Sequence, residues 1–232
     1  MINKKLTYCD LGTIDYKDAW DLQKNLFNSR YKKEINDTLL LLEHPHTYTL
    51  GKTADRNNLI AEDKFLNQNK ISVYDIDRGG DITYHGPGQI VGYPIINLTG
   101  WKKDTHKYLR AIEEVIIKTC AEYNIAAGRN QEYTGVWVGD KKIAAIGIKV
   151  SRWITMHGFA FNVNTDLSLF DGIIPCGIKE KSVTSLQNEL GRAIEINEVK
   201  TFILEKFTEV FDYSPAEKKD LDESLISEII DQ

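Results

Sequence analysis

Between Arg78 and Gln89 the chain reads Arg-Gly-Gly-Asp-Ile-Thr-Tyr-His-Gly-Pro-Gly-Gln. Four glycines and a proline in twelve residues oppose both a helix and an uninterrupted strand. Apolar, β-prone runs flank the stretch at 71–74 and 90–96. The expected arrangement is a glycine-rich turn between two strands of one sheet, where backbone can approach a ligand closely. Arg78, Thr83, Tyr84, His85 and Gln89 then crowd the opening. The plainer reading is a tight hairpin whose polar residues satisfy the turn backbone.

A second chemistry-bearing segment is Pro175-Cys176-Gly177. A thiol between proline and glycine in an irregular stretch is either presented to a substrate or packed as a loop thiol. Cys9, on a strand, and Cys120, on a helix face, read as inert core thiols. A free thiol is mostly protonated near neutral pH, and a nearby cation lowers its pKa. Lys141 and Lys142 open a β-arm otherwise made of apolar and small residues, and a lysine there could act as that cation and, as a free amine, as a base.

Two other signals are weaker. Gly51-Lys52-Thr53 resembles the end of a phosphate-binding loop, but the position that needs the first glycine holds His46. His44 and His46 are separated by a stiff Pro45 and lack a Cys or carboxylate cluster, so strand-end packing or pocket lining is expected rather than a metal. Glu43 stands within reach of either ring.

These residues need a scaffold, and 232 residues with 42% hydrophobic and 27% charged positions suffice for one sizeable core. Three cysteines at wide spacing give no disulfide framework. No apolar run approaches the roughly 20 residues of a membrane span, and the N-terminus lacks a signal-peptide core, so a cytoplasmic location is expected. The formal net charge is −5, yet residues 189–232 hold 12 acidic against 5 basic residues, leaving 1–188 at about +2. That balance argues against general nucleic-acid binding. The stretch 141–181 is rich in cations, Lys141, Lys142, Lys149, Arg152, Lys179 and Lys181, and the exposed members apart from Lys142 are expected to ring the pocket mouth and steer acidic partners to it.

Strands are expected at 6–11, 38–43, 134–138, 142–150 and 157–163, the middle pair joined by a Gly139-Asp140 turn. Helical spacing follows Asp15 through Tyr16, Ala19, Trp20, Leu26, Phe27 and Tyr31, and spans 104–123 and 199–211. A short helix near 62–68 and a weaker one after Asp220 complete the set. Residues 166–188 read as an irregular connection. The fold class is α/β: one domain, 1–232, with a mixed, mainly antiparallel sheet flanked by helices, residues 190–232 being available as a small helical appendage.

Taken together, the motifs resemble the lipoyl(octanoyl) transferases, the octanoyl-[acyl-carrier-protein]:protein N-octanoyltransferases. The resemblance rests on Arg78-Gly79-Gly80-x-x-Thr83-Tyr84-His85-Gly86-Pro87-Gly88-Gln89 and on Glu43-His44-Pro45 with Tyr48-Thr49-x-Gly51. It continues through Lys142-Ile143-Ala144-Ala145-Ile146-Gly147, His157-Gly158-Phe159-Ala160 with Asn162-Val163, and Pro175-Cys176-Gly177. All stand in family order between about 40 and 190. The resemblance implies a fold shared with lipoate-protein and biotin-protein ligases. It implies transfer of an octanoyl group from octanoyl-acyl carrier protein, through a cysteine thioester, to a lysine of a lipoyl-domain protein. Acceptors of that class include the glycine cleavage H protein and 2-oxoacid dehydrogenase acyltransferase subunits. By position, Cys176 matches the nucleophile and Lys142 the residue that lowers its pKa. Arg78, Gly79, Gly80, Asp81, Ile82, Thr83, Tyr84, His85, Ala145, Ile146, Gly147, Gly158, Phe159 and Ala160 match the acyl-binding site. No metal, cofactor, nucleic acid or membrane is implied. An ATP-dependent lipoate ligase and a non-catalytic acyl- or lipoyl-domain-binding protein are the rival classes. The former shares the fold without Cys176, and the latter needs the pocket without the Lys142–Cys176 pair.

Overall fold

Asp15 starts the first helix as its spacing suggests, its carboxylate accepting the N–H of Lys17 at 2.8 Å. In the computed structural model, which describes residues 4–174, 182–214 and 216–218, this helix, α1 (Tyr16–Tyr31), follows strand β1 (Leu6–Thr13). Next come β2 (Asp37–Glu43), β3 (Thr47–Leu50), α2 (Asp63–Gln68), β4 (Ser72–Asp75), β5 (Ile82–His85) and β6 (Gln89–Ile95). Asp104 caps α3 (Thr105–Glu122) through the N–H of Lys107 at 3.0 Å. The antiparallel ladder β7 (Ala127–Arg129), β8 (Val136–Val138), β9 (Lys141–Ser151) and β10 (Ile154–Asn162) leads to α4 (Leu186–Leu190), α5 (Ile196–Phe211) and the short β11 (Glu217–Lys218).

Eight strands form one sheet in the order β11-β1-β2-β6-β10-β9-β8-β7, and β4-β3-β5 form a second. In the large sheet the β11–β1 and β1–β2 pairs are parallel, and every other pair is antiparallel. The sheet is therefore mixed and mainly antiparallel, with helices on both sides. Leu39, Leu40, Leu41 and Leu42 of β2 are all fully buried. Leu39 and Leu41 join α3 and α5 in the main core, while Leu40 and Leu42 join Ala19 and Leu22 of α1 on the opposite face. A strand covered on both faces reads as a continuous apolar run, and each leucine contributes about 1.5–3 kcal/mol relative to exposure. Val199, Ile203, Phe207 and Phe211 of α5 lie in the same cluster as Ile112, Val115 and Ile116 of α3.

Three local expectations are corrected. The runs flanking the glycine-rich stretch do not share a sheet: β4 lies in the small one and β6 in the large one. The stretch contains its own strand, β5, which pairs with β3 rather than forming a hairpin with β6. Tyr31, the last residue of α1, is 48% exposed. The connection 166–188 carries a 3-10 turn at Leu167–Gly172 and the start of α4. The helix expected after Asp220 lies outside the described residues. Among the described residues no helix is long and apolar enough to cross a membrane.

Candidate active site

The α1-side face of β6, β9 and β10 looks toward the small sheet, and a cavity of about 340 Å³ lies between them. Such a volume is at the lower end of the roughly 300–1,000 Å³ usual for small-ligand pockets. Val91 and Tyr93 of β6, Gly147 of β9 and Gly158 and Ala160 of β10 line one side. Ile82, Thr83 and His85 of β5 and the loop residues Arg78, Gly79, Gly80 and Asp81 line the other. Two glycines make room for their neighbours here. A Cβ on Gly147 would stand 2.9 Å from both Arg78 Cδ and the Gly79 carbonyl, and one on Gly158 would stand 2.2 Å from the Gly92 carbonyl.

Lys142 also lines the cavity, and a register shift explains how. Val136 pairs with Ala144 but Trp137 pairs with Lys142, so β9 holds one extra residue, Ile143. A bulge of this kind reverses side-chain parity and re-aims a residue. It puts Lys142 in step with Ala145 and Gly147 instead of Ile146 and Ile148. The lysine Nζ lies 4.9 Å from the Trp137 ring centroid, and its stem passes Gly135, where a Cβ would be 3.3 Å from Cε. Its backbone is held on the other edge: Lys142 N–H donates to Ser182, and Thr184 N–H donates to Lys142, both at 2.9 Å.

A buried hydrogen-bond chain crosses beneath the cavity. Arg78 Nη2 donates to the Thr49 carbonyl (2.7 Å) and to its Oγ1 (2.9 Å). Thr49 Oγ1 in turn faces His85 Nε2 at 3.4 Å, and His85 Nδ1 donates to Gln89 Oε1 at 2.9 Å. Gln89 Nε2 donates to Asn162 Oδ1 (2.9 Å), whose Nδ2 donates to the Thr184 carbonyl (3.0 Å). Burial, with the neighbouring His44 and Arg78, holds the His85 pKa well below its usual value, so the ring is neutral and can both give and take a hydrogen bond.

A second chain runs from Tyr16 through Tyr93 to His44. His44 Nδ1 lies 2.8 Å from the Ile14 carbonyl and must carry the proton there, which leaves Nε2 to accept from the Tyr93 hydroxyl at 2.8 Å. Burial lowers the His44 pKa to about 4. Neither His44 nor His46 joins a metal cluster among the described residues. His46 Nδ1 pairs with the Tyr84 hydroxyl at 2.8 Å. Glu43, expected near these rings, instead accepts the N–H of Gly88 at 2.7 Å.

The cavity thus gathers Arg78, Gly79, Gly80, Asp81, Ile82, Thr83, His85, Lys142, Ala145, Ile146, Gly147, Gly158, Phe159 and Ala160. Tyr84 stands apart: alternation along β5 turns it away from its neighbours Thr83 and His85, into the packing of Tyr48 and Phe170. Cys176 lies outside the described residues, as do Lys179 and Lys181. Cys120 is buried, which pushes its thiol pKa up to about 12, and Cys9 is buried as well. The expected basic rim is corrected in part. Lys149 is engaged by Asp77, and Arg152 lies over the Tyr31 ring at 4.7 Å. Sequence reasoning missed Tyr16, Tyr93, Asn162 and His157 as lining residues. Their signal was a polar side chain on an otherwise apolar strand or helix face.

The family description "lipoyl protein ligase A/B catalytic domain" matches residues 15–208. The chain is 51% identical over 228 residues to an octanoyltransferase of Flavobacterium psychrophilum, covering 91% of this chain and 98% of that one. It is 54% identical over 201 residues to an octanoyltransferase of Rubrobacter xylanophilus, covering 86% and 90%. Among solved structures, a lipoate-protein ligase A bound with ATP superposes with a TM-score of 0.79 at 16% identity, covering 100% of this chain and 95% of that one. A biotin protein ligase from Aquifex aeolicus gives 0.54 at 16% identity, covering 90% and 71%. At such identities the structures speak for the fold alone.

Proposed function

The chain belongs to the lipoyl protein ligase A/B catalytic domain family and is an acyl-transferring enzyme of it; from that premise we propose that it moves an octanoyl group from octanoyl-acyl carrier protein to a lysine of a lipoyl-domain protein, acting in the cytoplasm as one catalytic domain. The observation that carries this reading is the cavity between the two sheets, with Lys142 turned into its wall by the Ile143 bulge. Gly147 and Gly158 let the walls come close to an unbranched chain. Burying seven methylene or methyl groups at about 0.8 kcal/mol each anchors the acyl tail. Arg78, Asp81, Ile82, Thr83 and His85 on one side and Ala145, Ile146, Phe159 and Ala160 on the other complete the acyl site.

The chemistry proceeds in two balanced steps. The thiolate of Cys176, paired with the Lys142 ammonium, attacks the donor thioester carbonyl carbon. The carrier thiolate leaves and takes the proton from Lys142. The amine of the acceptor lysine then attacks the Cys176 thioester, passes a proton to the neutral Lys142, and expels the Cys176 thiolate. The cycle returns to its starting protonation. The first exchange trades one thioester for another and the second makes an amide, so neither requires nucleotide hydrolysis.

Mass measurement of the protein mixed with octanoyl-acyl carrier protein in the absence of ATP tests the reading. An octanoyl adduct on Cys176 that passes to a lipoyl domain is the expected result. Transfer only from free acid with ATP makes the chain a ligase. Binding without an adduct makes it a non-catalytic binder.

A further inference from the structure

Asp77 bridges three parts of the cavity wall. One carboxylate oxygen accepts from His157 Nε2 at 2.8 Å, and the other is ion-paired with Lys149. Lys149 belongs to β9, His157 to β10, and Asp77 to the loop that continues into Arg78, Gly79 and Gly80. Among the described residues the same loop has one backbone bond to β9, Gly79 N–H to the Ile148 carbonyl at 3.0 Å. The two strand partners sit directly beside the close-packed Gly147–Gly158 pair. Asp77 therefore joins its loop to β9 and β10 close to Gly147, where a Cβ would stand 2.9 Å from the Gly79 carbonyl of that loop.

His157 has an unusual setting. Its side chain is 1% exposed and lines the cavity, and its φ of +55° is the left-handed region that costs a non-glycine residue about 1–2 kcal/mol. Its N–H is fixed by Gln23 Oε1 at 2.8 Å. Among the described residues, Nδ1 has no hydrogen-bond partner. The ring also lies near those of Trp20, tilted, and Tyr93, edge-on, at centroid distances of 6.4 and 6.3 Å. Asp77 is thus the one polar group among the described residues that orients this ring. Nothing in the proposed transfer chemistry uses either side chain.

We infer that Asp77 is a positioning residue that sets the acyl-length preference of the cavity, by locking the His157 ring and pulling the 77–80 loop onto β9 and β10. This rests on the acyl-site reading above. Without the carboxylate the ring is free to turn about its χ angles, and the loop, still held to 49–53 by Arg78 and Gly80, keeps one backbone tie to β9. The cavity then widens and loses the fixed wall against which eight carbons are matched.

The test uses neutral, unreactive probes: hexanamide, octanamide and decanamide, titrated calorimetrically into the full-length protein. The wild type is expected to prefer octanamide. Asp77→Ala should weaken octanamide binding at least 10-fold and decanamide binding much less, flattening the preference. Lys149→Met, which removes one arm and keeps the aliphatic stem, should flatten it partway, and it carries the test alone if Asp77→Ala does not fold. Asp77→Glu should restore part of the preference. Asp75→Asn, breaking the exposed pair with Arg56, should change nothing. Wild-type binding ratios in Asp77→Ala or in Lys149→Met, whatever their melting temperatures, overturn the inference, as does a wild type that binds the three amides equally. Failure of the wild type to transfer octanoyl without ATP would sink the proposed function alone, since the amide ratios still decide the role of Asp77.

Discussion

Thr184 closes its N–H on the carbonyl of Lys142 at 2.9 Å, while its own carbonyl is held by Asn162 at 3.0 Å. Residues 182–184 are therefore tied to the lysine and, through Asn162, Gln89 and His85, to the buried network under the cavity. The position of Lys142 is set from both edges of β9. Trp137 and the bulge hold one side, and Ser182 and Thr184 hold the other. These ties fix the backbone from which the lysine chain starts, and the Trp137 ring centroid lies 4.9 Å from its Nζ.

Lys142→Ala should raise the apparent pKa of Cys176, because a nearby positive charge favours the thiolate. Alkylation of Cys176 by iodoacetamide against pH reads this directly. Lys142→Arg keeps the charge but cannot release a proton near neutrality. It should preserve most of the thiolate and still slow amide formation by about 100-fold or more. Superimposable alkylation profiles for wild type and Lys142→Ala would remove the lysine from the site.

Cys176→Ala and Cys176→Ser should abolish octanoyl transfer with the unfolding midpoint unchanged. Cys120→Ala, by contrast, removes a buried sulfur and should cost about 1 kcal/mol of stability while leaving the rate intact. Thermal melts and single-turnover transfer separate the two classes. Normal turnover by Cys176→Ala ends the covalent mechanism.

The two cavity glycines should fail differently when changed to alanine. At Gly158 the new Cβ meets the Gly92 carbonyl at 2.2 Å and Pro94 Cδ at 2.7 Å. Two core strands must part, at a cost of about 1–3 kcal/mol or more. At Gly147 the contacts are the Arg78 stem and the Gly79 carbonyl, both at 2.9 Å on a loop. Gly147→Ala should thus lose less stability and show its effect as a raised KM for the octanoyl substrate. Equal melting temperatures for the two variants would contradict this.

Much of this was legible from residue order. The apolar face of α3, the all-leucine β2 and the motif spacing identified the sheet-and-helix architecture and most of the cavity wall. What was not legible depended on partners far away in sequence. That β5 leaves the large sheet is decided by its pairing with β3, and four residues of alternating sequence do not name their partner. The parity of Lys142 depends on a bulge that Ile143 does not advertise. Lys149 and Arg152 read as free surface cations because Asp77 and Tyr31 lie 72 and 121 residues away. Tyr84 belongs to the same motif as Thr83 and His85, and strand alternation turns it away from them.

Acid should destabilise this fold through its buried histidines. His44 has its pKa lowered to about 4 by burial, against about 6.5 in the unfolded chain. The folded state therefore binds fewer protons than the unfolded state between these values, and stability must fall as pH drops from about 6.5 toward 4. One group with this displacement removes on the order of 3 kcal/mol across the window. His85 and His157, whose pKa values are also lowered mainly by burial, act in the same direction, so the wild-type slope exceeds that of His44 alone. His44→Gln keeps an acceptor for the Tyr93 hydroxyl but does not titrate. It should lower stability at pH 7 by the loss of a fitted hydrogen bond, about 1 kcal/mol, and lose less on acidification than the wild type. Urea unfolding at half-unit steps from pH 7 to 4.5 gives both slopes. The wild type should release stability faster by up to one proton's worth, and the gap between the two proteins should narrow or cross near pH 5. Parallel curves would mean that His44 takes up its proton equally in the folded and unfolded chains, and burial would not be lowering its pKa.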